Sequence, residues 1–340
     1  MRYFILPLVL IFLPLQALAF EIESRLTLGN EESTRLIRII STTDADLFKP
    51  VLEDYLSGHP DTVIDYVVTS STDLMSAISD ERANFDVAIS SAMDLQTKLA
   101  NDRRTISLST PATDALPNWA RWRHEVFAFT QEPAAIVVSR KAFEGMTIPS
   151  TREELINILR SNPEKFTGKV GTYDLRHSGL GYLFATQDSR VSEVYWRLTE
   201  VMGALDAKLY RGSSSMIDAV ANDELAVAYN VLGSYALSRD DLEKFEVIFP
   251  SDFTTVMMRT AVIPDTANNE IGAKQFVDFL LQSAWQRSAE PSAIDPLMVD
   301  LNETQTAVRR IRLGPGLLIF LDAFKKKRFL AAWENSILQD

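Results

Sequence analysis

The chain has no cysteine and only 3 histidines in 340 residues. Without cysteine there can be no disulfides, thiolate nucleophiles, cysteine-ligated metals or lipid anchor on a cysteine. The histidines, His59, His124 and His177, form no His-x-x-x-His or comparable metal pair. A Gly-x-Ser-x-Gly elbow and a Walker loop are also missing. Asp174 precedes His177 by one turn, but no placed nucleophile completes a dyad. Neither an enzyme nor a cofactor or metal is therefore expected. Positive charge is scarce as well, with 34 basic against 46 acidic residues and a net charge of −12. That balance argues against nucleic acid and against broad adhesion to anionic lipid. It does not limit a small ligand, because a few local cations can dominate a cleft. The basic run Lys325 to Arg328, on an amphipathic C-terminal helix, reads as a solvated face or a transporter contact.

Long apolar runs are confined to the N-terminus. Arg2 precedes an apolar stretch from Phe4 to Leu15, and Ala17-Leu18-Ala19 forms a small-residue cleavage pattern. This is the pattern of a secretory signal peptide cleaved after Ala19, and it is too short for a membrane span. The mature protein is expected in the periplasm of a bacterium with two membranes, not embedded in the membrane, and monomeric. The chain is about twice a typical single-domain length, so two domains are expected. With 46% hydrophobic and 24% charged residues it has an ordinary globular composition.

Residues 20–34 are polar and read as a loosely attached arm. Beyond them, apolar strands end in hydroxyl residues that open helices. Leu36 to Ser41 leads to Thr42-Thr43-Asp44, Val63 to Val68 to Ser70-Ser71-Thr72, and Phe85 to Ile89 to Ser90-Ser91. This βα rhythm predicts an α/β fold with open, mostly parallel sheets and a ligand crevice at the carboxyl ends of the strands. The rhythm is interrupted near Trp119 to Pro133 and then resumes. With no long linker, the pattern predicts two lobes, 35–130 plus 256–340 and 133–250. The crossings are expected near 130–133 and 250–255. Thr254 to Ile263 reads as strand, and a final helix spans Leu317 to Ile337.

The most informative stretch is Gly168 to Tyr182, a short strand, a polar turn and a helix opening at Ser178-Gly179. Unpaired amides at a helix start, together with the helix dipole, favour an anion or a polyhydroxyl compound. Thr43, Ser70, Ser91, Ser178 and Ser213 or Ser214 all stand at such starts. Each can cap its own helix or contact a ligand. Arg176 and His177 flank the main turn and could pair with a phosphate or carboxylate, or simply be exposed. Arg121 lies among Trp119, Trp122 and Arg123, which form either an anion clamp with stacking rings or an aromatic plug. Tyr229 and Asn230 end a strand expected to face the cleft.

Several segments resemble the extracytoplasmic solute-binding proteins of ABC transporters. They are Lys169 to Tyr182, Phe127 to Ala134, Ala228 to Tyr235 and Arg259 to Pro264. The similar branch contains ferric-ion, hexose-phosphate and phosphoglycerate-type binders. The resemblance implies a two-lobed type 2 periplasmic-binding fold that closes like a flytrap, and a permease in the inner membrane as partner. Ferric-ion binders of this branch carry two adjacent tyrosines where this chain has Tyr229 and Tyr235, separated and with Asn230 following the first. Iron is therefore the third reading. The first is capture of a small anionic or polyhydroxylated solute, an organophosphate or carboxylate, for an importer. The second is a ligand-sensing accessory protein for a membrane histidine kinase.

Overall fold

Apolar runs without polar alternation become central strands, because helices cover both of their faces. In the computed structural model, which describes residues 20–30, 32–286, 291–301 and 307–339, two such sheets form. The expected leader, residues 1–19, lies outside the described residues. The first sheet takes β1 (Ser24–Gly29), β2 (Arg35–Ser41), β3 (Thr62–Val68), β4 (Val87–Ser90), β5 (Thr105–Ile106), β6 (Arg121–Trp122) and β7 (Val126–Ala128). The second takes β8 (Glu132–Ser139), β9 (Val170–Tyr173), β10 (Lys208–Tyr210), β11 (Val227–Leu232), β12 (Phe245–Ile248) and β13 (Thr254–Met257). The chain then returns to the first sheet at β14 (Thr260–Pro264) and to the second at β15 (Val308–Arg310). Pairing is parallel where βα units repeat, at β3-β2-β4 and β10-β9-β11. It is antiparallel where the crossing strands β8 and β14 join their neighbours.

The first sheet carries α1 (Ala45–Gly58), α2 (Ser71–Ser79), α3 (Met93–Asn101) and α4 (Pro111–Ala115). Around the second lie α5 (Arg152–Ser161), α6 (Pro163–Phe166), α7 (Gly179–Val191), α8 (Val194–Ala204), α9 (Ser213–Ala221) and α10 (Gly233–Leu237). Towards the C-terminus, α11 (Glu270–Trp285) covers the first sheet and α12 (Ala323–Ile337) follows. One core packs Phe48, Tyr55, Phe276 and Leu280 on one face of the first sheet. A second core continues from its other face, through Leu74, Ile78 and Leu99, into the second sheet.

The expected boundaries change in three places. The arm is not loose, because β1 pairs antiparallel with β3 along its whole length. The segment expected as one strand from Thr254 to Ile263 breaks at Met258-Arg259, where the chain passes from one sheet to the other. The end of the chain goes with the second sheet, not the first. A Cβ on Gly203 of α8 would sit 2.2 Å from the Ser336 carbonyl oxygen, so α8 and α12 touch backbone to backbone there. The Gln339 amide donates to the Glu200 carbonyl at 3.0 Å. The expected single helix Leu317 to Ile337 is a 3₁₀ segment followed by α12, which Asp322 caps by accepting from the Lys325 N–H at 3.1 Å.

A buried ion pair locks the crossings together. The Arg259 guanidinium gives Nε and Nη2 to the two Glu132 oxygens, each at 3.0 Å, and Nη1 to Thr43 Oγ1 at 2.7 Å. Thr130 and Ser234 donate to the same carboxylate at 2.8 and 2.6 Å. Arg259 and Glu132 are fully buried, so each depends on this set of partners for its charge.

Candidate functional site

The carboxyl ends of the parallel strands in both sheets open onto one cleft of about 300 Å³. The first sheet supplies Thr42, Asp44, Ser70 and Ser91 from the turns that start α1, α2 and α3. The second supplies Tyr173, His177 and Ser178 from the β9–α7 turn, and Arg211 to Ser215 from the start of α9. Glu23, placed by the pairing of β1, and Tyr235 of α10 complete the wall. The N-cap residues of α1, α2, α7 and α9 (Asp44, Ser70, Ser178 and Gly212) all face this space. The dipoles of these helices give it a positive lining of partial charges.

Direct contacts cross the cleft. Ser214 donates to Asp44 Oδ2 at 2.5 Å, and the Tyr235 hydroxyl accepts from the Asp44 N–H at 3.3 Å. The Gly179 N–H donates to Ser71 Oγ at 3.0 Å, where a Cβ on Gly179 would come within 2.5 Å of the same oxygen. Arg211 reaches Glu21 at 3.3 Å. The two halves therefore stand in a closed arrangement.

Of the expected site residues, Ser70, Ser91, His177, Ser178, Ser213 and Ser214 line the cleft. Ser70 and Ser178 also cap their helices, accepting from the Asp73 and Gly181 N–H groups at 3.1 and 3.2 Å. The Ser178 hydroxyl hydrogen has no acceptor among the described residues. Ser213 is engaged inside its own lobe by the Tyr173 hydroxyl at 2.6 Å and the Leu232 N–H at 3.0 Å. Gly179 is buried and does not line the cleft; its N–H is held by Ser71.

Five expected residues lie elsewhere. Thr43 points inward between Thr42 and Asp44 and is fully buried against Arg259. Arg121 sits in the β6–β7 hairpin, donating to the Thr113 carbonyl at 2.9 Å and lying 3.5 Å from Asp114. Arg176 is captured two residues away by Asp174, through bonds of 2.8 and 2.7 Å, instead of reaching across. Tyr229 and Asn230 are buried inside the second lobe. The Tyr229 hydroxyl accepts from Arg152 Nε at 2.8 Å, and the Asn230 amide donates to Asp188 at 2.9 Å. A bulge at Asn230 in β11, with φ of 63°, brings its side chain to Asp188, the carboxylate that the Tyr229 hydroxyl also reaches. Tyr235 alone of the tyrosine pair reaches the cleft, and no cluster of metal-binding side chains occurs among the described residues.

Asp44, Glu23, Tyr173, Arg211 and Tyr235 were not foreseen as site residues. Asp44 closes the Thr42-Thr43-Asp44 helix start and Arg211 opens the run into Ser213, so both had a local signal. Glu23 had none, because only the long-range pairing of β1 brings it in. Burial pushes the Glu23 carboxyl above its ordinary pKa, reinforced by the Asp44 and Glu21 carboxylates and opposed by Arg211. The cleft thus offers amide and hydroxyl donors, one guanidinium, and carboxylates suited to accepting from hydroxyl groups.

The fold has close relatives among solved structures. The substrate-binding protein of an ABC transporter from Agrobacterium tumefaciens is 27% identical, with a TM-score of 0.83 over 93% of this chain and 98% of that one. The periplasmic binding protein AfuA from Actinobacillus pleuropneumoniae, bound to fructose-6-phosphate, is 17% identical, with a TM-score of 0.72 over 91% and 100%. Iron-bound HitA from Pseudomonas aeruginosa is 16% identical, with a TM-score of 0.64 over 89% and 99%. Among curated proteins the sequence finds no match. The family model described as bacterial extracellular solute-binding protein matches residues 40–287. Its match spans most of the βα units that build the cleft, and the chain belongs to this family of binding proteins, which are not enzymes.

Proposed function

We propose that this protein captures a small hydroxylated anion, an organophosphate or hydroxycarboxylate, and delivers it to an ABC importer of the inner membrane. The observation that carries this reading is the convergence of four helix N-caps on one cleft of about 300 Å³. The anionic group sits over the starts of α7 and α9, near Ser178, Ser213 and Arg211. Asp44 and Glu23 accept from hydroxyls of the same ligand. Two lobes, each built on one sheet, open and close about the crossings at 129–131 and 258–259. Cleavage after Ala19 releases the protein into the periplasm.

The hexose phosphate named for AfuA supports an anion of this size. The acidic wall at Glu23 and Asp44 favours a ligand that carries hydroxyl donors beside its anionic group. A thermal-shift panel of sugar phosphates, hydroxycarboxylates, neutral sugars and amines tests this. A ligand at a hundred times its Kd stabilises by about 2.7 kcal/mol. Shifts with neutral sugars or amines, and none with the anions, would refute the reading.

A further inference from the structure

A second cavity shares no residue with the cleft. It is a groove of about 380 Å³ bounded by β15, the C-terminal end of α7 and Trp119. Arg309, Arg310 and Arg312 line it together with Gln187, and among the described residues no aspartate or glutamate does. This is unusual in a chain with 46 acidic and 34 basic residues.

The backbone under these arginines is well fixed. β15 runs parallel to β13, and Ile311 and Leu313, buried at 4% and 7% exposure, anchor the residues that follow it. The Ile311 N–H donates to the Val256 carbonyl and the Leu313 N–H to the Trp119 carbonyl, both at 2.9 Å. Arg310 Nε donates to Gln131 at 3.1 Å. The Arg309 and Arg312 side chains have no ion pair or hydrogen bond among the described residues. Elsewhere on the surface, arginines do find carboxylates, as in Arg82–Asp265 at 2.7 Å and Arg197–Glu153 at 2.9 Å. The Arg309 and Arg312 guanidiniums, close in sequence and unpaired among the described residues, repel one another, and a bound anion would reverse that cost.

We propose that this groove is a second binding site, for a small multivalent oxyanion of the diphosphate or tricarboxylate class. Arg309 and Arg312 each present a planar fork that matches phosphate or carboxylate oxygens. The Gln187 amide adds a neutral donor, and the Trp119 ring forms an apolar wall.

The test is calorimetric titration of pyrophosphate into the mature wild-type protein, R309A/R312A and R309K/R312K, at low and high salt. Binding is expected in the wild type, weaker by about tenfold or more in R309A/R312A and intermediate in R309K/R312K, which keeps charge but loses the fork. Affinity should also fall as salt rises. Both arginines are exposed, so unchanged circular dichroism is expected, and the lysine pair decides the matter should the alanine pair misfold. Equal affinity in all three proteins, or no binding by the wild type, would overturn the proposal. Neither variant touches the cleft, so this result leaves the reading of the cleft to its own test.

Discussion

The cleft between the sheets and the groove beside β15 have similar volumes, about 300 and 380 Å³, but opposite electrostatics. The cleft carries Glu23 and Asp44 against Arg211, whose guanidinium is already shared with Glu21. In the proposed reading an anion is drawn by the helix starts, and the carboxylates select the hydroxyl groups that accompany it. Among the described residues the groove has no carboxylate, and it presents full charges on flexible stems. Fixed amides can discriminate by position, whereas free guanidiniums attract anions broadly and lose strength in salt. The helix α7 joins the two, with its N-cap Ser178 and Leu180 at the cleft and Gln187 and Val191 at the groove. The net charge of −12 describes neither place.

The strongest perturbation is expected at the buried ion pair where the chain passes between the sheets. Replacing Arg259 with alanine leaves the buried Glu132 carboxylate without its bidentate partner. A loss of about 3–5 kcal/mol in urea unfolding is expected. Next comes Gly179→Val, which pushes a side chain against Ser71 and Leu95, 2.5 and 3.0 Å from where a Cβ would stand. The lobes should fold while cleft affinity drops by about a hundredfold, or some 2.7 kcal/mol, because closure is blocked. Unchanged affinity would show that the cleft need not close there. Asp44→Ala removes the acceptor for Ser214 and should weaken the cleft ligand by about tenfold, the worth of one charge-assisted hydrogen bond.

A pH-dependent effect is expected at Asp94, buried in the first turn of α3, which packs against α7. Burial raises its carboxyl to about 7, opposed by the Leu95 N–H and Lys326. Between its ordinary value of 3.8 and about 7 the folded chain holds a proton that the unfolded chain has released. Stability from this group is therefore full at low pH and declines as pH rises through that window. Asp94→Asn should raise Tm at pH 8 by about 2 °C or more, with the gain vanishing toward pH 4. The smallest effect sharpens the comparison most. R309A/R312A should leave cleft affinity within about twofold, since sites without shared partners are nearly additive.

Much of the architecture could be read along the chain. Strand-to-hydroxyl-to-helix units mark the turns that meet at the cleft, and Ser70, Ser91, Ser178 and Ser214 were legible because helix starts have local chemistry. Thr43 misled because a three-residue turn carries several candidates, and only its folded path decides which one faces out. Asn230 misled because a one-residue bulge changes which face a strand presents, and Tyr229 because its hydroxyl is held inside the lobe by the buried Arg152. Arg176 misled because a carboxylate two residues away was a nearer partner than any ligand.

The sequence by itself determined the α/β class and the hydroxyl-rich helix starts, since both rest on periodicity and capping within a few residues, whereas the second passage between the sheets falls at Met258-Arg259 and not at 250–255. Tertiary structure alone decided that Glu23 and Asp44 share a wall with Ser178 and Arg211. It also decided that α12 joins the second sheet, and that Arg309 and Arg312 stand without carboxylates among the described residues. Those outcomes depend on pairings between residues far apart in the chain, where packing and solvation choose each side chain's neighbours and local pattern has no influence.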